Sequence, residues 1–196
     1  MNLANKLTIF RIVLIPVFIL FMSFESIPHW ALLALLVFAT ASITDQMDGA
    51  YARKHNLITN FGIFMDPFAD KLLVTSAIIM LVARGLVPAW IAIAIIAREF
   101  AVSGLRTIAA NEGTVISASN KGKLKTVLQM VAVILMLIKL IVIYDPWFTG
   151  FKAWLESSAQ FLWLLPDVLM YAAALMTIYS GVDYFVKGWS AIDPTK

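Results

Sequence analysis

The sequence predicts an all-α integral membrane protein, with six transmembrane helices around a polar cavity open to the cytoplasm and short interfacial helices beside them. Three observations predict it. First, 61% of the 196 residues are hydrophobic and only 14% are charged, whereas a soluble domain carries about 25% charged residues; the mean hydropathy is +0.87. Second, six apolar stretches can be drawn, each near the ~20 residues that a bilayer requires. Third, the charges gather at alternating ends of those stretches, which puts them on one side of a membrane crossed by successive antiparallel spans. Residues 1–196 read as a single domain, since no repeat, low-complexity stretch or linker marks a boundary.

The first span covers Leu7–Phe24. Lys6 and Arg11 flank its start, as the charged end of a cleaved signal peptide would, but no A-x-A-like site follows promptly after Phe24, so the run reads as a retained helix. Pro16 would kink it, and Asn2–Leu7 would form a short helix lying on the membrane. The following spans are Pro28–Tyr51, Phe61–Ala83, Pro88–Ala109, Gly122–Tyr144 and Pro166–Val186. Pro28, Pro88 and Pro166 stand at span starts, where a missing N–H costs little. In Asp145–Trp163, Trp147, Phe151, Trp154 and Phe161 recur at roughly helical spacing among polar residues. That pattern fits an amphipathic helix in the interface, or equally an aromatic belt with no further role.

Charge placement sets the topology. Arg11 lies near the start of span one, and Asp45 and Asp48 near the end of span two. Asp66, Asp70 and Lys71 open span three, Arg98, Glu99 and Arg106 occupy the latter half of span four, Lys121, Lys123 and Lys125 open span five, and Asp183 and Lys187 close span six. The opposite loops hold few cations: Arg84, Lys152 and nearby Lys139. The positive-inside rule then makes the charged side cytoplasmic, with both termini inside a multi-pass cell-membrane protein. With the basic residues beside apolar spans and a net charge of +3, the expected partners are membrane lipids and phosphorylated substrates, not nucleic acid. The residues include no cysteine, hence no disulfide or thiolate chemistry among them.

The functional signal is the pair of stretches Asp45-Gln46-Met47-Asp48-Gly49-Ala50-Tyr51-Ala52-Arg53 and Gly62-Ile63-Phe64-Met65-Asp66-Pro67-Phe68-Ala69-Asp70. Carboxylates within a membrane are expensive and ask for compensating charge. On a helix, Asp45 and Asp48 are i,i+3 neighbours and Asp66 and Asp70 are i,i+4 neighbours. Two helices that each present such a pair can surround hard divalent cations, which prefer oxygen ligands. Gly49, Ala52 and Gly62 leave room where a nucleotide or a neighbouring helix approaches closely, and Arg53 offers a bidentate fork to phosphate. The plainer reading of the aspartates is a structural ion-pair network with Arg53, Lys54 and Lys71.

Written as D-x-x-D-G-x-x-A-R-x8-G-x-x-x-D-x-x-x-D, the two stretches resemble the signature of the CDP-alcohol phosphotransferases at every fixed position. The six-span layout extends that resemblance over nearly the whole chain. The resemblance implies metal-dependent transfer of a group from a CDP-linked donor to an alcohol. It implies two Mg2+ or Mn2+ ions held by Asp45, Asp48, Asp66 and Asp70, with Asp70 also the general base, and it implies a homodimer.

Other segments address the acceptor. Asn2–Arg11 resembles the start of the bacterial phosphatidylglycerophosphate synthases within that family. Asn5, Thr8 and Arg11 fall at i, i+3 and i+6 and could reach the nucleotide or its phosphates, or could be an N-cap with an interfacial arginine. Ala97–Arg106 and Gly122–Thr126 resemble the same subfamily, although Ile63 stands where its members commonly carry a basic residue. Glycerol 3-phosphate needs a cationic pocket, and Arg98, Arg106, Lys123 and Lys125 offer one. For each lysine a plain positive-inside role is the alternative. The expected reaction is transfer of the phosphatidyl group from CDP-diacylglycerol to glycerol 3-phosphate. The rivals are the same chemistry on inositol phosphate, inositol or serine, or a divalent-cation transporter whose acids form an ion path. His29 and His55, near span ends, read as interfacial or solvated rather than as ligands.

Overall fold

The structure, a computed structural model, describes residues 3–55, 60–111 and 120–188. Every regular element among them is helical. Six helices are long, at 21 to 29 residues: α1 (Leu3–Ser23), α2 (Trp30–His55), α3 (Asn60–Ala83), α4 (Ala89–Asn111), α5 (Asn120–Tyr144) and α7 (Gln160–Gly188). A 3-10 turn, Pro146–Phe148, and the ten-residue α6 (Thr149–Ser158) connect the last two.

Among the described residues, three stretches are long and apolar enough to cross a membrane: Asn5–Ser23, Lys121–Tyr144 and Gln160–Val186. α2 adds a shorter apolar stretch, Trp30–Asp45. Asp45 stands at the end of that stretch, α3 carries Asp66, Asp70 and Lys71, and α4 carries Arg98, Glu99 and Arg106.

Three boundaries differ from expectation by four residues or more: α2 runs past Tyr51 to His55, and the starts of α1 and α7 also move. No separate surface helix precedes the first span; α1 runs unbroken from Leu3, because Asn5 and Thr8 are buried against the bundle and do not lie on a surface. α7 begins at Gln160, so Pro166 lies inside the helix and not at its start. The missing N–H of Pro166 frees only the carbonyl four residues back, in the helix's first turn. The chain instead breaks at Ala159, whose φ of −132° and ψ of 44° separate α6 from α7. Trp147 and Phe161 are 76% and 75% exposed, and Phe151 and Trp154 stack with ring centroids 5.8 Å apart, so this segment does present an aromatic outer face.

Cross-helix contacts fix the directions. Thr8 near the start of α1 meets Asp66 near the start of α3, and Arg84, just past the end of α3, donates to the Met22 carbonyl at 3.0 Å near the end of α1. α1 and α3 therefore run parallel. His29, just before α2, meets Asp145, just after α5, so these two run antiparallel. The core between them is packed from Phe18, Phe38, Leu73, Ile78, Ile95, Met136 and Leu140, with alanines 34, 41, 77, 173 and 174 fully buried where helices approach closely. Large apolar side chains also point outward, Phe100, Leu175 and Val186 among them, as suits a surface bathed in lipid.

The end of the bundle away from the acidic stretches is closed by the His29–Asp145 corner. His29 has a positive φ of 54°, lies 2.6 Å from Asp145 Oδ2 through Nδ1, and packs on Trp147 at 4.3 Å. Asp145 Oδ1 also accepts from the Trp147 N–H at 3.0 Å. His29, read from the sequence as interfacial or solvated, thus lies at a span end and has a partner within the protein. The His29 hydrogen bond, aided by the Trp147 N–H and opposed by burial, holds the Asp145 carboxyl below its ordinary value of 3.8. A depressed carboxyl stabilises the fold above that ordinary value and stops doing so as pH falls through the depressed one. Asp145→Asn should therefore melt at a lower temperature than the parent at pH 7, and the gap should close in strongly acidic buffer. A gap that widens on acidification would contradict the assignment.

Candidate active site

The polar end of the bundle is built from the ends of six helices. α1 supplies Asn5, Thr8 and Arg11, all buried. Arg11 is 0% exposed, with a guanidinium nitrogen 2.6 Å from Asp45 Oδ1. Thr8 Oγ1 donates to Asp66 Oδ1 at 2.6 Å. An interfacial arginine would reach outward; this one is turned inward and joins α1 to α2 through a carboxylate, while Thr8 joins α1 to α3.

Asp45 lies within electrostatic range of Asp66 and of Asp70, and Asp70 in turn of Arg11, Glu99 and Lys125. Acids on α2 and α3 thus face a common region. Asp48, Gly49, Ala52 and Arg53 fall in the last turns of α2, and their side chains lie outside the described residues, as do those of Lys54 and His55. Gly62, in the first turn of α3, is buried. Among the described residues no group of three or more acids or histidines is close enough to hold an ion alone. The donor chemistry nevertheless fits a divalent cation. These are hard carboxylate oxygens gathered against mutual repulsion, and the charge that compensates Asp45 is a guanidinium placed directly on it.

Two cavities meet at Asp70. The smaller, about 60 Å3, is lined by Asp70, Lys71, Glu99, Lys125, Thr126 and Gln129, with apolar walls behind. The larger, about 310 Å3, shares Asp70, Lys71, Glu99 and Thr126 and adds Arg98, Ser103, Arg106, Lys123 and Tyr184. The four cations singled out in the sequence, Arg98, Arg106, Lys123 and Lys125, therefore line the same polar region as Asp70, although they come from α4 and α5 and Asp70 from α3. Lys123 is exposed and Lys125 buried.

Packing organises these cations. Lys125 pairs with Glu99, and Arg98 Nη1 reaches the same Glu99 oxygen at 3.2 Å. Arg98 Nη2 donates to Ser180 at 2.8 Å, and Arg106 Nη2 donates to the Tyr184 hydroxyl at 2.6 Å. Both guanidinium groups lie over the Tyr184 ring, at 5.5 and 5.0 Å. Gly181 makes room for Arg98, since a Cβ there would come within 3.0 Å of Arg98 Cγ. Lys71 bonds Ser103, and Lys121 pairs with Asp183 at 2.9 Å over the Tyr179 ring.

Sequence reasoning gave no role to Glu99, Ser103, Tyr184 or Gln129. Glu99 carried a usable signal: a lone acid in an apolar helix beside Arg98 must be paired, and Lys125 was available. Gln129 lies four residues after Lys125 and hence on its face of α5. Tyr184 had no signal, because its contacts depend on how α7 packs against α4.

The profile of the family described as CDP-alcohol phosphatidyltransferase matches residues 1–179. The chain is 43% identical over 204 aligned residues to a CDP-diacylglycerol--glycerol-3-phosphate 3-phosphatidyltransferase of Bacillus subtilis, covering 97% of each chain. It is 42% identical over 184 residues to the protein of the same name from Rickettsia bellii, covering 94% of this chain and 93% of that one.

Proposed function

The chain belongs to the CDP-alcohol phosphatidyltransferase family, and from that premise we propose that it transfers the phosphatidyl group of CDP-diacylglycerol to glycerol 3-phosphate, yielding phosphatidylglycerophosphate and CMP. The observation that carries this reading is the convergence of Arg98, Arg106, Lys123 and Lys125 on the cavities that Asp70 lines. A dianionic acceptor needs that concentration of cations, whereas serine or free inositol does not. The ion-path reading gives way to an enzyme with the family assignment.

In the proposed mechanism the cytidine and pyrophosphate end of the donor lies against α1, the end of α2 and the start of α3, where Asn5, Thr8, Arg11, Asp48, Gly49, Ala52, Arg53 and Gly62 bind it. Asp45, Asp48, Asp66 and Asp70 would hold two Mg2+ or Mn2+ ions, which when bound neutralise the pyrophosphate and stabilise the leaving CMP. Arg98, Arg106, Lys123 and Lys125 bind the acceptor phosphate. Asp70 takes the proton of the acceptor's primary hydroxyl. That oxygen bonds to the lipid-side phosphorus, the bond from this phosphorus to the bridging oxygen breaks, and CMP departs with that oxygen. A carboxylate with a reference pKa of about 3.9 is a weak base, so positioning beside the hydroxyl supplies much of the rate. The six long helices cross the cell membrane with both termini and the site on the cytoplasmic side, and the diacyl tails stay in lipid. The protein acts as a homodimer.

Purified protein given CDP-diacylglycerol should consume labelled glycerol 3-phosphate and release equimolar CMP. EDTA should stop the reaction, and added Mg2+ or Mn2+ should restore it. A preference for inositol phosphate, inositol or serine in the same assay would overturn the acceptor assignment.

A further inference from the structure

α5 places Lys121, Lys125 and Gln129 four residues apart on one face. Below them on that face come Val133, Met136 and Leu137, all buried in the apolar core. Gln129 is thus the last polar position before the core, at the floor of the smaller cavity. It is 5% exposed, and its Oε1 has no hydrogen-bond partner among the described residues. A buried amide oxygen left unpaired is costly, and such a group calls for a partner that arrives from outside. Two cations of the same cavity are bonded elsewhere, Lys125 to Glu99 and Lys71 to Ser103.

The chemistry of the missing partner follows from the surroundings. A carbonyl oxygen accepts a hydrogen bond and repels an anion, so Gln129 Oε1 does not suit a phosphate. Of the cations assigned to phosphate, Arg98, Arg106 and Lys123 line the larger cavity, and Lys125 lines the smaller, where it is held by Glu99. The two cavities share Asp70, Lys71, Glu99 and Thr126, so one ligand can place an anionic end in the larger and a hydroxyl-bearing carbon chain in the smaller. We propose that Gln129 accepts a hydrogen bond from the secondary hydroxyl of the acceptor and thereby selects a 1,2-diol phosphate, presenting the neighbouring primary hydroxyl to Asp70. This rests on the reading that the acceptor is glycerol 3-phosphate. Gln129 is a specificity residue: it touches the acceptor beside the reacting oxygen and does not take the proton.

The test compares glycerol 3-phosphate with 3-hydroxypropyl phosphate, which keeps the phosphate and the primary hydroxyl but lacks the secondary one. The full-length protein, purified in detergent with CDP-diacylglycerol as donor, should prefer glycerol 3-phosphate by about tenfold in kcat/KM, the effect of one hydrogen bond to an otherwise unpaired buried group. Gln129→Leu should shrink that preference to about twofold or less, chiefly by lowering kcat/KM for glycerol 3-phosphate. A merely structural role would lower both acceptors by one factor and leave the ratio intact, and that result would overturn the inference. So would a parent protein that uses both acceptors equally well, a comparison that needs no variant to fold. Gln129→Met repeats the measurement should the leucine variant aggregate. A parent protein that ignores both phosphorylated acceptors while using another alcohol would sink the underlying acceptor reading as well, and is recognisable as a separate outcome.

Discussion

Asp70→Asn is expected to give a folded protein that releases CMP at least about a thousandfold more slowly than the parent. General-base catalysis is worth about 10²–10⁴ in rate, and the same side chain is assigned to the metal, so both contributions go together. Asparagine keeps the size and loses the proton-accepting oxygen. Stability should change little. Asp70 is desolvated and feels the like charges of Asp45 and Glu99 as well as the opposite charges of Arg11 and Lys125, so the relief of burial and repulsion offsets the attraction lost. The measurement is CMP release from CDP-diacylglycerol and glycerol 3-phosphate, with a thermal melt in the same detergent. Undiminished turnover would exclude Asp70 as the base. A melt well below that of the parent would show that its carboxylate is structural, within an ion-pair network.

Glu99→Ala is expected to damage both stability and acceptor binding. Lys125 is 3% exposed and pairs with Glu99, and Arg98 reaches the same carboxylate oxygen. Alanine would leave one fully buried and one largely buried cation facing each other. Breaking a buried pair costs about 3–5 kcal/mol; because Glu99 is itself partly exposed, about 2 kcal/mol is a fair expectation. The cations would also lose the anion that aims them into the cavities, so KM for glycerol 3-phosphate should rise by more than kcat falls. Glu99→Ala combined with Lys125→Met removes the stranded charge, and it should recover most of the lost melting temperature while activity stays low. A single variant that melts with the parent would show that water, and not Glu99, satisfies Lys125. Recovery of activity in the double variant would remove Lys125 from the acceptor site.

Much of the candidate site could be proposed from the sequence because the motif is local. Asp45 and Asp48 share one helical face by spacing alone, as do Asp66 and Asp70, and no packing is needed to know it. The six long helices were legible for a similar reason, since apolar runs near the length of a bilayer span leave little choice of element. Helix ends were less so. α7 takes in Gln160–Leu165 because a proline in a first turn frees little, and the break fell on Ala159, which nothing in the sequence marks. Arg11 had two open readings, and burial on Asp45 favours the inward one. His29 was read as interfacial or solvated and its partner was missed, because Asp145 lies 116 residues away.

Composition, apolar runs and spacing by themselves pointed to the class of protein and the helical register of the acids, and the motif residues carried the resemblance to a family, because each depends on residues within a few turns of one another. Only the tertiary structure decided that Glu99 bridges Lys125 and Arg98, that Tyr184 underlies both arginines, and that Gln129 Oε1, buried in the wall of a cavity, has no hydrogen-bond partner among the described residues. Those facts come from which faces of α3, α4, α5 and α7 turn together. Helix packing chooses those faces so that side chains interlock closely and buried charges find partners at once, a condition on the whole bundle that no single stretch of chain contains.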